Sequence, residues 1–236
     1  MAQTLPPALI VGVGRVLNST QPTQLAQGQR IAVLISGGGS NLQALIDAQA
    51  AGDLGVAKIA FVLSNRAAAY GLQRAQQAGI AHESVGLKSF CDGGVTPAKR
   101  TAFDAHLAQL LNAQNLDLIV LAGWMHVFSP AFLNAIRAPV INLHPALPGQ
   151  FAGAHAIDDA YAAWQAGRIT QTGCMVHEVI ETIDSGRVID TQTVPCLMGD
   201  TLDDLKQRMH GAEHGLIVRA VRQYCETLCR VGLSPP

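Results

Sequence analysis

Apolar residues fall along this chain in short blocks. Those at 31–35, 58–63, 81–85, 116–121 and 139–145 have strand length, and most show little polar alternation, the pattern of parallel strands covered on both faces. The intervening segments 42–49, 70–78, 97–113 and 156–166 carry helical spacing. Residues 172–180 do alternate, 188–194 supply a partner strand for a hairpin, and 202–229 form one long closing helix. The order predicts an α/β fold: a Rossmann-like, mostly parallel twisted sheet with helices on both faces, followed by a C-terminal β-hairpin and a long helix. The glycine-rich loop 86–96 is expected to be exposed and 146–155 irregular, and the core shows no internal repeat.

Residues 1–29 stand outside this pattern. They are poor in charge and rich in Pro, Gln and Thr, which predicts a flexible N-terminal extension ahead of a catalytic domain at 30–236. Their apolar patch at 8–13 has no basic flank and is followed by Arg15, so it does not read as a secretory signal, nor is the segment Arg-rich like a transit peptide. Among the 236 residues, 16 basic side chains face 17 acidic ones, with no basic block to follow a phosphate backbone, so nucleic acid is not an expected partner. The five cysteines lack C-x-x-C spacing, which points to reduced thiols and a cytoplasmic location. No apolar run is long enough to span a bilayer.

Candidate chemistry sits where the apolar blocks end. The block 139–145 closes in Asn142, His144 and Pro145, which puts an amide and an imidazole on one face at the carboxyl edge of the sheet. An amide donor beside an imidazole suits a carbonyl whose oxygen becomes negative, although both residues also serve in ordinary turns. Strand 31–35 runs through Ser36-Gly37-Gly38-Gly39-Ser40-Asn41 into a helix, and a glycine loop opening a helix makes an anion site. A dinucleotide fingerprint would need a further glycine and an acidic residue where Ser64-Asn65-Arg66 stands. A Walker loop would need Gly-Lys-Ser/Thr, so a phosphate monoester fits better, with a bare tight turn as the alternative. The stretch 122–128 offers a surface for a flat heterocycle or simply a packed core, and Asp184 lies in the turn 181–186.

Several motifs together resemble the phosphoribosylglycinamide formyltransferase family, folate-dependent enzymes of purine synthesis. They are I-A-V-L-I-S-G-G-G-S-N at 31–41, V-L-A-G-W-M-H-V-F at 120–128, N-L-H-P at 142–145, I-D-S-G at 183–186 and A-E-H at 212–214. The likeness spans about 30–222 and implies the formyltransferase fold, with 10-formyltetrahydrofolate as co-substrate and neither metal nor nicotinamide. Carried onto this sequence, it implies that Gly39, Ser40 and Asn41 hold the phosphate of the ribonucleotide, which His210, Gly211, Ala212 and Glu213 also contact. Met125, His126, Val127 and Phe128 would line the folate pocket with Asn142, Arg100 would face the acidic tail, and Ile180, Glu181, Thr182, Ile183 and Asp184 would close over the pterin. Asn142, His144 and Asp184 would form the chemical centre. The partners implied are small molecules, with a monomer or a homodimer equally open.

This sequence departs from the family pattern at Gly38, often asparagine, at His126, frequently arginine, and in the loop A-L-P-G-Q-F after Pro145. His155 and His177 follow positions that carry histidine in many relatives and are expected to be structural. A carboxylate at Asp184 is expected to raise the pKa of His144, so that the protonated imidazole acts as an acid near neutral pH. The alternatives are a formyltetrahydrofolate deformylase, which uses water, and a silent phosphoribosyl- or folate-binding protein. The deformylase would carry a longer N-terminal domain and lack S-G-x-G-S-N.

Overall fold

In the computed structural model, which describes residues 28–92 and 94–231, strand β1 (Gln29–Ile35) runs through the middle of a seven-stranded sheet. Its side chains alternate between two cores. Ile31, Val33 and Ile35 pack with Leu42, Leu45, Leu216 and Val221, whereas Ala32 and Leu34 pack with Phe61, Phe103, Leu107 and Phe132. With both faces covered, the strand has no polar side to show, which explains its unbroken apolar sequence.

Seven helices and six further strands follow: α1 (Ser40–Ala51), β2 (Ala57–Ser64), α2 (Tyr70–Gln77), β3 (His82–Ser84), α3 (Leu87–Phe90), α4 (Pro97–Asn112), β4 (Leu118–Leu121), α5 (Pro130–Ala135), β5 (Val140–His144), α6 (Ala156–Gln165), β6 (Gln171–Glu178), β7 (Val188–Pro195) and α7 (Leu202–Val231). The sheet order is β3-β2-β1-β4-β5-β6-β7, parallel from β3 to β5, with β6 and β7 antiparallel as the expected hairpin. The chain builds outward from β1 through β2 to β3 and then crosses back to β4 on the other side. At such a switch point the loops leaving the two strands part and open a crevice at their carboxyl ends. The site lies there.

Local rules account for several boundaries. Thr96 accepts a hydrogen bond from the Lys99 N–H and Pro97 follows it, an N-cap with proline in the first turn of α4. Gly52 closes α1 in the left-handed region, with its N–H returned to the last turn. Four expectations change. Helix α1 starts at Ser40, so Ser40 and Asn41 belong to its first turn and not to the loop before it. The predicted loop 86–96 contains α3, whose Phe90 packs edge-on against Phe103 and whose neighbour Cys91 is buried. Helix α5 has no counterpart in the predicted pattern. Strand β1 begins at Gln29, one residue before the expected domain boundary, and the rest of the predicted extension, residues 1–27, lies outside the described residues.

Candidate active site

One cavity of about 690 Å³ joins the loops that leave β1, β4 and β5 to the turn between β6 and β7 and to one face of α7. One end of it is the glycine loop. Gly39 adopts φ 70°, and a Cβ there would stand 2.7 Å from the Cα of Gly71, so α2 packs directly on the loop. Arg74 of α2 donates to the Gly38 carbonyl at 2.9 Å and to Gln43 at 2.9 Å, which ties the loop to the first turn of α1. Across the cavity, buried Glu213 receives Asn41 Nδ2 at 3.3 Å and pairs with His210 Nδ1 at 2.9 Å. That hydrogen bond to Glu213 raises the His210 pKa against the opposing pull of burial. Of the four positions expected on α7, His210 and Glu213 line the cavity. Gly211 and Ala212 do not, because adjacent residues along a helix point away from one another, whereas residues three or four apart share a face.

The centre lies at the end of β5. Antiparallel pairing sets Asn142 opposite His177 of β6, and their side chains meet at 3.2 Å. His177 sets its Nδ1 2.8 Å from the Glu178 carbonyl and its Nε2 beside both the Asn142 amide and Asp184, which together hold that amide in place. Asp184 lies 3.5 Å from Asn142 Nδ2, 3.5 Å from His177 Nε2 and 3.5 Å from His144 Nδ1, and it receives the Gly153 N–H at 2.9 Å. Burial pushes the Asp184 carboxyl up, but His177, the Gly153 N–H and His144 outweigh it and hold the group below the usual carboxylate range.

His144 is 4% exposed and donates Nε2–H to the Phe151 carbonyl at 3.1 Å, so its Nδ1 is the nitrogen that faces Asp184. The expected rise in its pKa is corrected: burial, the largest influence, lowers it, and Asp184 with the Phe151 carbonyl only partly offsets that. The resting imidazole is therefore neutral at neutral pH, with an acceptor already placed at each ring nitrogen for the proton it can take up. Two residues in these contacts, Phe151 at φ 42° and Asp184 at φ 51°, hold left-handed backbone without being glycine, a strain that tends to collect at functional sites.

The third region is apolar. Met125 and Val127 project into the cavity from the segment after β4, and Ile180 and Ile183 face it from the turn after β6. Glu181 and Thr182 line it as well. Trp124 and Phe128 reach the cavity while packing into the core, their rings stacked at 5.7 Å. His126 borders the cavity too, with the Nε2 of its imidazole turned onto Asp104 at 2.6 Å. Arg100 does not line the cavity; it donates to the Val127 carbonyl at 3.1 Å. Arg66 and Lys206 do line it and were not expected to. Arg66 follows the end of β2, and the carboxyl-edge rule would have found it, whereas Lys206 needed the helix phase relative to His210.

A doubly covered α/β sheet with an amide, an imidazole and a carboxylate between a glycine loop and an apolar pocket defines a group-transfer enzyme of carbonyl chemistry, and residues 29–221 match the formyl transferase family. Phosphoribosylglycinamide formyltransferase of Schizosaccharomyces pombe is 46% identical over 197 residues, 82% of this chain and 95% of that protein. The trifunctional purine biosynthetic protein adenosine-3 of Drosophila melanogaster is 41% identical over 206 residues, which make up 87% of this chain and 14% of that protein. Among solved structures, glycinamide ribonucleotide transformylase 1 from Symbiobacterium toebii superposes with a TM-score of 0.76 at 38% identity, covering 86% of this chain and 90% of that one. The chain belongs to the phosphoribosylglycinamide formyltransferase family and is an enzyme of formyl transfer.

Proposed function

We propose that this protein transfers the formyl group of 10-formyltetrahydrofolate to the amine of 5'-phosphoribosylglycinamide, giving 5'-phosphoribosyl-N-formylglycinamide on the route to IMP. Residues 30–236 form the catalytic domain in this assignment, its partners are the two small molecules, and its place is the cytoplasm. The observation that carries it is the single cavity in which Asn142, His144 and Asp184 lie between a glycine-loop cradle and an apolar pocket. Gly39, Ser40 and Asn41 bind the phosphate through the loop and the first amides of α1, where the helix dipole favours an anion. His210 and Glu213 meet the ribonucleotide from α7, while Met125, Val127 and the turn 180–184 enclose the pterin.

The chemistry follows from the protonation states. The neutral glycyl amine attacks the formyl carbon, its new C–N bond forming as the carbonyl π pair moves onto oxygen. The Asn142 amide, held in place by His177 and Asp184, donates to that oxyanion, and one such donor lowers a barrier by about 3 kcal/mol. Neutral His144 takes the proton of the attacking nitrogen at Nδ1, becoming an imidazolium held between Asp184 and the Phe151 carbonyl. The same proton passes to the folate nitrogen as its bond to carbon breaks, which leaves tetrahydrofolate and the formylated product.

Two measurements test this. With 10-formyltetrahydrofolate supplied, deformylated folate should accumulate, followed by absorbance, only when phosphoribosylglycinamide is present. Release without it would mean hydrolysis, and no release would mean a silent binding protein. The second concerns pH. Asp184 is one of the groups that raise the His144 pKa, so Asp184→Asn should move it further below its ordinary value of about 6.5. An NMR titration of the His144 imidazole reads the direction, and an unchanged or raised value would remove Asp184 from its assigned role.

A further inference from the structure

The segment from Trp124 to Ser129 carries no regular secondary structure, so no helix or strand ladder fixes its place. Its side chains nevertheless alternate strictly. Met125 and Val127, 61% and 55% exposed, stand out into the cavity, while Trp124, His126 and Phe128 border it with their rings packed into the core. What holds it is α4. Asp104, wholly buried, takes His126 Nε2 at 2.6 Å on one carboxylate oxygen and the Ser129 N–H at 2.8 Å on the other. Arg100, one turn earlier on the same helix, donates to the Val127 carbonyl. The imidazole stands edge-on to Phe103 at 5.3 Å and to Phe128 at 5.7 Å, so packing fixes its rotamer. A buried carboxylate strongly resists losing its partners, and here both of its oxygens are bonded to this one segment.

We propose that His126 is a positioning residue for the formyl-donor pocket: bonded to Asp104, it sets the backbone from which Met125 and Val127 project, without touching the folate itself. The inference deepens the function proposed above and rests on it. A histidine in this place makes the pocket wall depend on an inward-facing pair. Shifting such a wall by an ångström weakens binding of the group that lies on it and leaves the distant phosphate cradle alone.

The test is steady-state kinetics on His126→Asn and Asp104→Asn in the full chain. The expected result is a rise of about tenfold in KM for 10-formyltetrahydrofolate, with KM for phosphoribosylglycinamide and kcat at saturation each held within about twofold. The double variant should be no worse than the poorer single one, because both remove the same contact. His126→Gln, whose longer amide can still donate to Asp104, should recover part of the loss. Should these variants melt below the assay temperature, Ser129→Pro replaces them. It removes the N–H bonded to the second oxygen together with a hydroxyl that makes no hydrogen bond, at a residue whose φ of −79° already suits proline, and it should raise the folate KM in the same direction. Unchanged folate KM in the folded variants, or equal losses in both KM values and in kcat, would overturn the inference. A wild-type protein without ribonucleotide-dependent transfer would overturn instead the function on which it rests.

Discussion

His144→Ala should lower kcat for formyl transfer by about 10³-fold, the middle of the range over which a positioned acid–base group acts. The size follows from the lack of a substitute among the groups around the centre. Asp184 is held ionised below the usual carboxylate range and is a poor acceptor for a proton that must be handed on. His177 has its Nδ1 beside the Glu178 carbonyl and its Nε2 engaged by Asn142. The phosphate cradle and the apolar wall do not involve His144, so both ligands should still bind, and kcat should fall while the KM values move little. Single-turnover measurement with both substrates saturating is the check. A variant that keeps a tenth of the activity would require the proton to travel another way.

A second large effect is expected from Gly39→Ala: a rise of about 10²-fold in KM for the ribonucleotide, together with a lower melting temperature. Two causes combine. The left-handed conformation at φ 70° costs an ordinary residue about 1–2 kcal/mol, and the added Cβ would meet the Cα of Gly71 at 2.7 Å, backbone against backbone, where no side chain can swing aside. Relief requires the loop to lift from α2 and carry the amides of Gly39, Ser40 and Asn41 out of place. Gly52→Ala separates the causes, since Gly52 has φ 82° with nothing within 4 Å of its Cβ position. That variant should lose stability without losing ribonucleotide affinity, and equal KM values for the two would show that the loop is not the phosphate site.

Much of this was legible in the sequence because it is local or periodic. The apolar blocks gave the strands, the glycine run before α1 gave the loop at one end of the cavity, and the i, i+2 spacing of Asn142 and His144 brought both to its lining. What was hidden depends on depth and on distant partners. The His144 pKa went the other way because the burial of its ring is a property of the packed sheet, and the nearby carboxylate was the only influence the sequence displayed. Phe151 and Gly153 act through a carbonyl and an N–H, groups that every residue carries, so nothing in their side chains marked them. His177 entered the centre through the β5–β6 register, and Asp104 emerged only when α4 was seen to pass beneath His126. The short helices α3 and α5, of four and six residues, are set by packing around Phe90 and Phe132 and lack the length for a periodic signal.

The left-handed backbone of Asp184 bears on how this enzyme can change over generations. At φ 51° the position tolerates glycine, asparagine and aspartate and works against nearly everything else. Asparagine is thus a neighbour that the fold accepts and the chemistry does not. Loss of activity in this lineage has a short path, a single atom exchanged in one turn, along which the shape of the backbone survives. Descendants that took that path would be told apart from working enzymes by the residue at 184.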